Sequence, residues 1–230
     1  LLETKLKTLT AEFGVSANNI PAEFVEKVRR WVWLYQTRDE DEIERVLETR
    51  RQEFIAIQRQ VRGANLPSDL AYVTLVESHF QPQAKNKADN AGLWQFTRGT
   101  ARHIGLRVNA EVDERLDPHK STAAACRYIS QLQRHLGTGG SLMLALAAYN
   151  MGPGRLEQRM NQVEDPARRF DFWHLYRTRV FPALTRTHLA RLMAAILIGR
   201  HPQHFGFPYQ PTTSSKTVSS PTAPAATGSR

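Results

Sequence analysis

A single cysteine, Cys126, means that no disulfide can close within the chain, and its setting among alanines in STAAACRYI suits a small buried apolar side chain. No run approaches the roughly 20 apolar residues needed to cross a bilayer. The longest, LARLMAAILIG over 189–199, is short, flanked by arginines, and reads as a buried core helix. Period-two alternation is missing too, apart from a short hairpin left open over 80–95. The chain has no HExxH, no GxSxG, no Walker loop and no GxGxxG ahead of a helix. His201 and His204 stand three apart beside prolines and off any periodic helix. Neither a metal nor a cofactor is therefore expected.

What is present in excess is positive charge: 31 Lys and Arg against 22 Asp and Glu, a net +9. That balance favours anionic partners such as nucleic acid, acidic lipid or an anionic wall polymer. Between 155 and 200 stand nine arginines against four acidic residues, with aromatics interleaved in RRFDFWHLYRTR. No helix-turn-helix, zinc-finger or RNP pattern accompanies them, so no nucleic-acid partner is expected and the cluster reads as a solvated face.

With 41% hydrophobic residues in 230, the chain can bury the core of one domain with an appended helical segment. Its periodicity is helical almost throughout, which predicts an all-α fold. Ile20, Phe24, Val28, Trp31, Val32 and Tyr35 form one stripe, and Ile43, Val46, Leu47, Phe54, Ile57 and Val61 another that ends near Gly63. Together they predict an N-terminal helical arm over 1–63, for which a coiled-coil partner surface is the competing reading. From Leu66 the character changes, and a second unit is expected over 64–208. Within it Asp117 and Pro118 start a helix that stops at Gly137, and Ser141 caps another that ends at Gly152-Pro153-Gly154. Two further helical stretches are expected near 167–180 and 185–200. The Ser/Thr/Pro/Ala-rich residues 209–230 read as a disordered tail or linker.

One residue breaks the pattern. In LAYVTLVESHFQPQA, Leu70, Val73 and Glu77 stand at i, i+3 and i+7, which puts a carboxylate on the stripe that faces the core. Such an acid is either a paired structural group or one whose burial is used. Ser78, His79 and Phe80 follow, and then a Gly/Asn-containing loop, so Glu77 belongs at the rim of the core beside a mobile wall. A carboxyl held half out of water keeps its proton more readily, as a general acid must. Trp94, Gln95, Phe96, Tyr149 and Asn150 supply the rings and amides that suit a sugar-binding cleft.

Four words in order and spacing, ESHFQPQA, AGLWQFTRGTA, DERLDPHKS and LALAAYNMGPGR, closely resemble the lytic transglycosylases with a goose-lysozyme-like catalytic domain, particularly the membrane-bound D group. The likeness spans about 64–208 and extends into FWHLYRTRVFPALTRTHLARLMAAILIGRHPQHFGF. It implies a lysozyme-like helical fold and cleavage of the MurNAc–GlcNAc β-1,4 bond of peptidoglycan glycan strands without water. Glu77 is then the sole acid and base. Ser78 and Gln95 bond the substrate or orient Glu77, Phe96 lines the groove, Tyr149 sets its hydroxyl near the reacting centre, and Asn150 contacts the acetamido sugar. Trp94 reads rather as a packing residue of the turn, and DERLDPHKS as architectural.

The chain departs from the pattern at Asn90, where glycine is common, and at Thr97-Arg98, where Met-Pro is usual. Thr97 also takes the place of a second acid present in goose-type lysozymes. That favours a lyase, while Asp89 in the preceding loop keeps a hydrolytic muramidase as the alternative, beside a binding module without activity. The resemblance further implies a bacterial envelope location, periplasmic, with peripheral or lipid-anchored membrane association of a longer protein. Oligomeric state is left open.

Overall fold

The computed structural model describes residues 1–38, 43–137 and 140–209, and helices make up its regular structure. In chain order these are α1 Leu2–Glu12, α2 Ala22–Thr37, α3 Arg51–Gly63, α4 Tyr72–Ser78, α5 Arg98–His103, α6 Pro118–His135, α7 Leu142–Met151, α8 Pro153–Asn161, α9 Phe172–Arg177 and α10 Ala183–Arg200. Among the described residues extended chain is confined to isolated bridges, two of which, Lys85 to Ala91 and Ala91 to Phe96, fold the 84–96 loop back on itself. The expected all-α class is what the chain adopts.

The most apolar segment becomes the axis of the core. Every residue of α10 from Leu192 to Gly199 is buried, because α1, α2, α4 and α7 all pack against it. A helix apolar on all sides is stable only when covered all round. Gly199 marks the tightest approach: a Cβ there would stand 1.6 Å from the hydroxyl oxygen of Tyr72, which is itself fully buried with its ring 4.9 Å from that of Phe54. At the C-terminal end of α10, Arg200 donates to both oxygens of Asp69 at 2.8 Å and pairs with Glu12 at 2.6 Å, tying α10 to the 3-10 turn Ser68–Ala71 and to α1. A second layer sets α6 against α3 and α7, with α8 against α7.

The first 63 residues share this core. Leu6, Leu9, Phe24, Val28 and Tyr35 are buried in the same apolar cluster as α10, without a break at residue 63. Arg191 of α10 reaches back to the Tyr35 hydroxyl at 3.0 Å and lies over the Trp31 ring at 5.1 Å. The stripe from Ile43 to Val61 is not one helix. Ile43 and Glu44 are α-helical, a π-helical turn follows over Arg45–Thr49, helical geometry is lost at Arg50, and the chain restarts as α3. The break frees the Arg50 side chain to cross to Phe80, donating to its carbonyl and stacking 4.8 Å over its ring.

Several caps match expectation. Asp117 and Ser141 accept the N3 backbone N–H groups of Lys120 and Leu144, and Pro118 opens α6. Gly152, with φ +91, ends α7, but Pro153 starts α8 at once, a helix that the Gly-Pro-Gly signal conceals. The tail falls almost wholly outside the described residues.

The close approach at Gly199 makes Gly199→Ala an overpacking change with no flexible neighbour to yield. We expect a loss of about 1–3 kcal/mol of stability, read as a thermal midpoint lower by several degrees, with secondary structure retained.

Candidate active site

α4 is buried along its whole length except at one position. Tyr72 to Val76 and Ser78 are all buried, while the Glu77 side chain keeps 19% of its surface open. The helix ends one residue later in a left-handed stop. His79 and Phe80 have φ +53 and +56, and the Phe80 N–H returns to the Thr74 carbonyl at 3.1 Å. Glycine normally takes such positions, and each side chain held there costs about 1–3 kcal/mol. Two arginines of the 45–50 segment hold the turn in place: Arg45 donates to the His79 carbonyl at 3.2 Å, and Arg50 to that of Phe80. Phe80 is buried against Phe54.

Across from this stop, α10 carries a polar stripe on an otherwise apolar surface. Thr185 donates to Asn150 Oδ1 at 2.8 Å, His188 Nε2 lies 2.8 Å from Glu77 Oε1, and Arg191 donates to the Val76 carbonyl at 3.1 Å. His188 is buried, with 8% of its side chain open. Nothing in the glutamate motif announced it. The available signal was the spacing of Thr185, His188 and Arg191 at i, i+3 and i+6 in a helix too apolar to carry polar groups without partners.

The wall beside Glu77 is the 84–96 loop, and its shape is set by side chains that capture its carbonyls. Ser78 Oγ stands 3.0 Å from the Leu93 carbonyl and 2.8 Å from that of Thr74. Tyr149 donates to the Trp94 carbonyl, and the Gln95 amide to those of Gly92 and Ala84 at 2.8 and 3.3 Å. Arg115, its side chain fully buried, donates to the carbonyls of Asp89 and Phe96 and pairs with Asp113 at 2.8 Å. Gly92 is obligatory here, because at φ +79 a Cβ would sit 1.8 Å from the Arg115 carbonyl oxygen. Trp94 is buried and donates to Thr122 Oγ1 at 2.9 Å, the packing role expected of it.

The structure therefore sorts the expected site residues by position. Glu77 is partly open, Gln95 half-buried and Asn150 exposed. Ser78 and Phe96 are buried, the serine docking the loop and Phe96 packing its ring 6.2 and 5.8 Å from Tyr128 and Tyr149. Tyr149 is half-buried, and burial first, then the neighbouring Glu77 and Tyr128, hold its phenol well above the ordinary range, so it stays a donor. Asp89, the second acid considered from the sequence, is paired with Arg98 and Arg115, and the Arg98 contact above all lowers its pKa. Two surface hollows, of about 120 and 450 Å³, lie along α6 and its neighbours, and Glu77 lines neither. Among the described residues no three His, Cys, Asp or Glu side chains converge as a metal site would need.

A comparison with protein families matches the transglycosylase SLT domain over residues 54–171. The chain belongs to that family. It is 30% identical over 159 residues to membrane-bound lytic murein transglycosylase D of Escherichia coli K12, covering 69% of this chain and 34% of that protein. It is 32% identical over 147 residues to membrane-bound lytic murein transglycosylase F 2 of Alkalilimnicola ehrlichii, covering 61% and 31%. The crystal structure of an inactive mutant of lytic transglycosylase Slt from Pseudomonas aeruginosa superposes with a TM-score of 0.52 over 84% of this chain and 32% of that one, at 23% identity. That likeness concerns the fold, which is the lysozyme-like one. The chain thus spans about a third of the length of these two curated relatives.

In this SLT domain the segment behind the loop is pinned electrostatically. Glu114 accepts from Lys120 Nζ, the Arg107 N–H and Arg107 Nε, each at 2.8 Å, and these bonds, Lys120 first, bring its pKa from 4.5 to about 2. A carboxylate depressed on folding stabilises fully above its unfolded value, and the contribution fades as pH falls through the folded one. Unfolding followed between pH 5 and 2 should show stability falling through this window in the parent and falling less steeply in Glu114→Gln.

Proposed function

We propose that this domain is a peptidoglycan lytic transglycosylase, with its catalytic unit over 64–208 and Glu77 as the single acid and base. The observation that carries the proposal is the state of the two carboxylates. Glu77 is the one open residue of a buried helix and faces a histidine instead of a fixed cation, whereas Asp89 is tied up by two arginines. A lone carboxyl suffices if the substrate supplies its own nucleophile, since a hydrolase that activates water needs a second.

The proton count closes on Glu77. It first gives a proton to the glycosidic oxygen as the bond to C1 of MurNAc breaks, and the substrate's N-acetyl group supports the positive centre. As a carboxylate it then takes the proton of the C6 hydroxyl, whose oxygen bonds to C1. The products are a free GlcNAc 4-hydroxyl and a 1,6-anhydro-MurNAc end, and no water is consumed. Gln95 and Asn150, the more open members of the set, face the sugars, while Ser78, Phe96 and Tyr149 hold the wall they bind against. The relatives' names place those proteins at membranes and murein, which supports a location in the bacterial cell envelope and, for this chain, the periplasm. No helix among the described residues is long and apolar enough to cross a membrane.

Digestion of purified sacculi followed by mass spectrometry tests the reaction. Anhydro ends are expected, reducing ends would establish the hydrolase instead, and no products a binding module. Glu77→Gln should cut release by about 10²–10⁴-fold with the fold intact. Asp89→Asn should lower stability yet leave the anhydro ends unchanged in kind.

A further inference from the structure

His188 is an unusual partner for a reacting carboxyl. It is buried, its Nε2 lies 2.8 Å from Glu77 Oε1, and its Nδ1 is buried with no hydrogen-bonding group beside it among the described residues. These facts restrict where the imidazole proton can be. An imidazolium would bury a charged Nδ1–H without an acceptor, which is costly. A neutral ring protonated on Nδ1 would leave that N–H orphaned and set the Nε2 lone pair against a carboxylate oxygen. A neutral ring protonated on Nε2 makes the bond and leaves only a lone pair unmatched.

Resting on the acid and base role of Glu77 given above, we propose that His188 is the positioning residue of the site. Its neutral imidazole donates Nε2–H to Glu77 Oε1 in both protonation states of the glutamic acid, so that Oε2 is the oxygen that carries and exchanges the catalytic proton.

The arrangement has a chemical consequence. When Glu77 is protonated, Oε1 accepts as a carbonyl oxygen, and the proton on Oε2 stays available to the glycosidic oxygen. Once that proton has left, the same N–H meets a full negative charge and the bond strengthens, which favours the intermediate without trapping the starting acid. A lysine or arginine in the same place would hold the carboxylate ionised throughout. Around the pair stand Tyr149 from α7, Tyr128 beyond it, and Arg191 from α10 on the Val76 carbonyl. Arg45 on the His79 carbonyl and the exposed His79 ring complete the set. His79 is the second imidazole near the site and serves as the control.

The test pairs two measurements. Release of anhydro ends is followed for the parent, His188→Ala, His188→Gln and His79→Asn, with thermal unfolding as a check on folding. Independently, the ring nitrogens of His188 are read by NMR in the parent and in Glu77→Gln. His188→Ala should lose about 10–100-fold in rate, the worth of one hydrogen bond to a charged group. His188→Gln, whose amide N–H can replace Nε2–H, should recover most of that loss. His79→Asn should keep the parent rate. The spectra should show the Nε2–H form, with its resonances shifted in Glu77→Gln. Unchanged rates in both His188 variants, or an Nδ1–H ring, would overturn the proposal. If His188→Ala does not fold, His188→Gln and the spectra decide. A parent that releases no anhydro ends would sink the proposed reaction, and the spectra would still decide where the proton sits.

Discussion

A helix that cannot continue puts Glu77 where it is. α4 is short and buried on all sides, so a carboxylate within it would be costly to bury; its last turn is the place where one can reach solvent. The stop is made by His79 and Phe80 in left-handed geometry, two residues that do not favour it. Burial of the Phe80 ring and the two arginine contacts to the turn carbonyls offset that strain. The 45–50 segment, which the domain reading assigned to an arm, is thus what holds the end of the proposed catalytic helix.

The same logic shapes the wall. An irregular loop exposes carbonyls that a buried site cannot leave unpaired, and here Ser78, Tyr149 and Arg115 each take one or more of them. Polar residues expected to meet substrate are first of all structural. The path of the loop bearing Gln95 is set by a serine on the glutamate's own helix, a tyrosine from α7 and a buried guanidinium, each bonded to its carbonyls. Glu114 and Asp113 neutralise and fix the segment that brings that guanidinium in.

The arginine excess of the C-terminal third has a comparable explanation. Arg159 caps the Val180 carbonyl, Arg169 that of Val163 and Arg177 that of Asn19, while Arg186 pairs with Glu23 and Arg200 with Asp69. These cations close loop ends and join distant segments, and several keep an exposed edge toward solvent. A positive surface survives, but its arginines are held by the fold, which accounts for their lying among aromatics without any nucleic-acid motif.

Local chemistry made much of this legible. Helix periodicity, the Asp117 and Ser141 caps, the apolar run that became α10, and an acid at i+7 from Leu70 all depend on neighbours within a turn or two, and each is readable in one dimension. The Gly-Pro-Gly stop hid α8, and the 43–61 stripe hid a break at Arg50, because the group that rewards the break, Phe80, lies 30 residues away. The partner of His188 was hidden for the same reason, standing 111 residues away. The sequence by itself determined that this chain is helical and that Glu77 is its anomalous acid. Only the tertiary structure decided what that acid faces, because a contact between helices depends on how they pack, and packing is settled by the whole core at once.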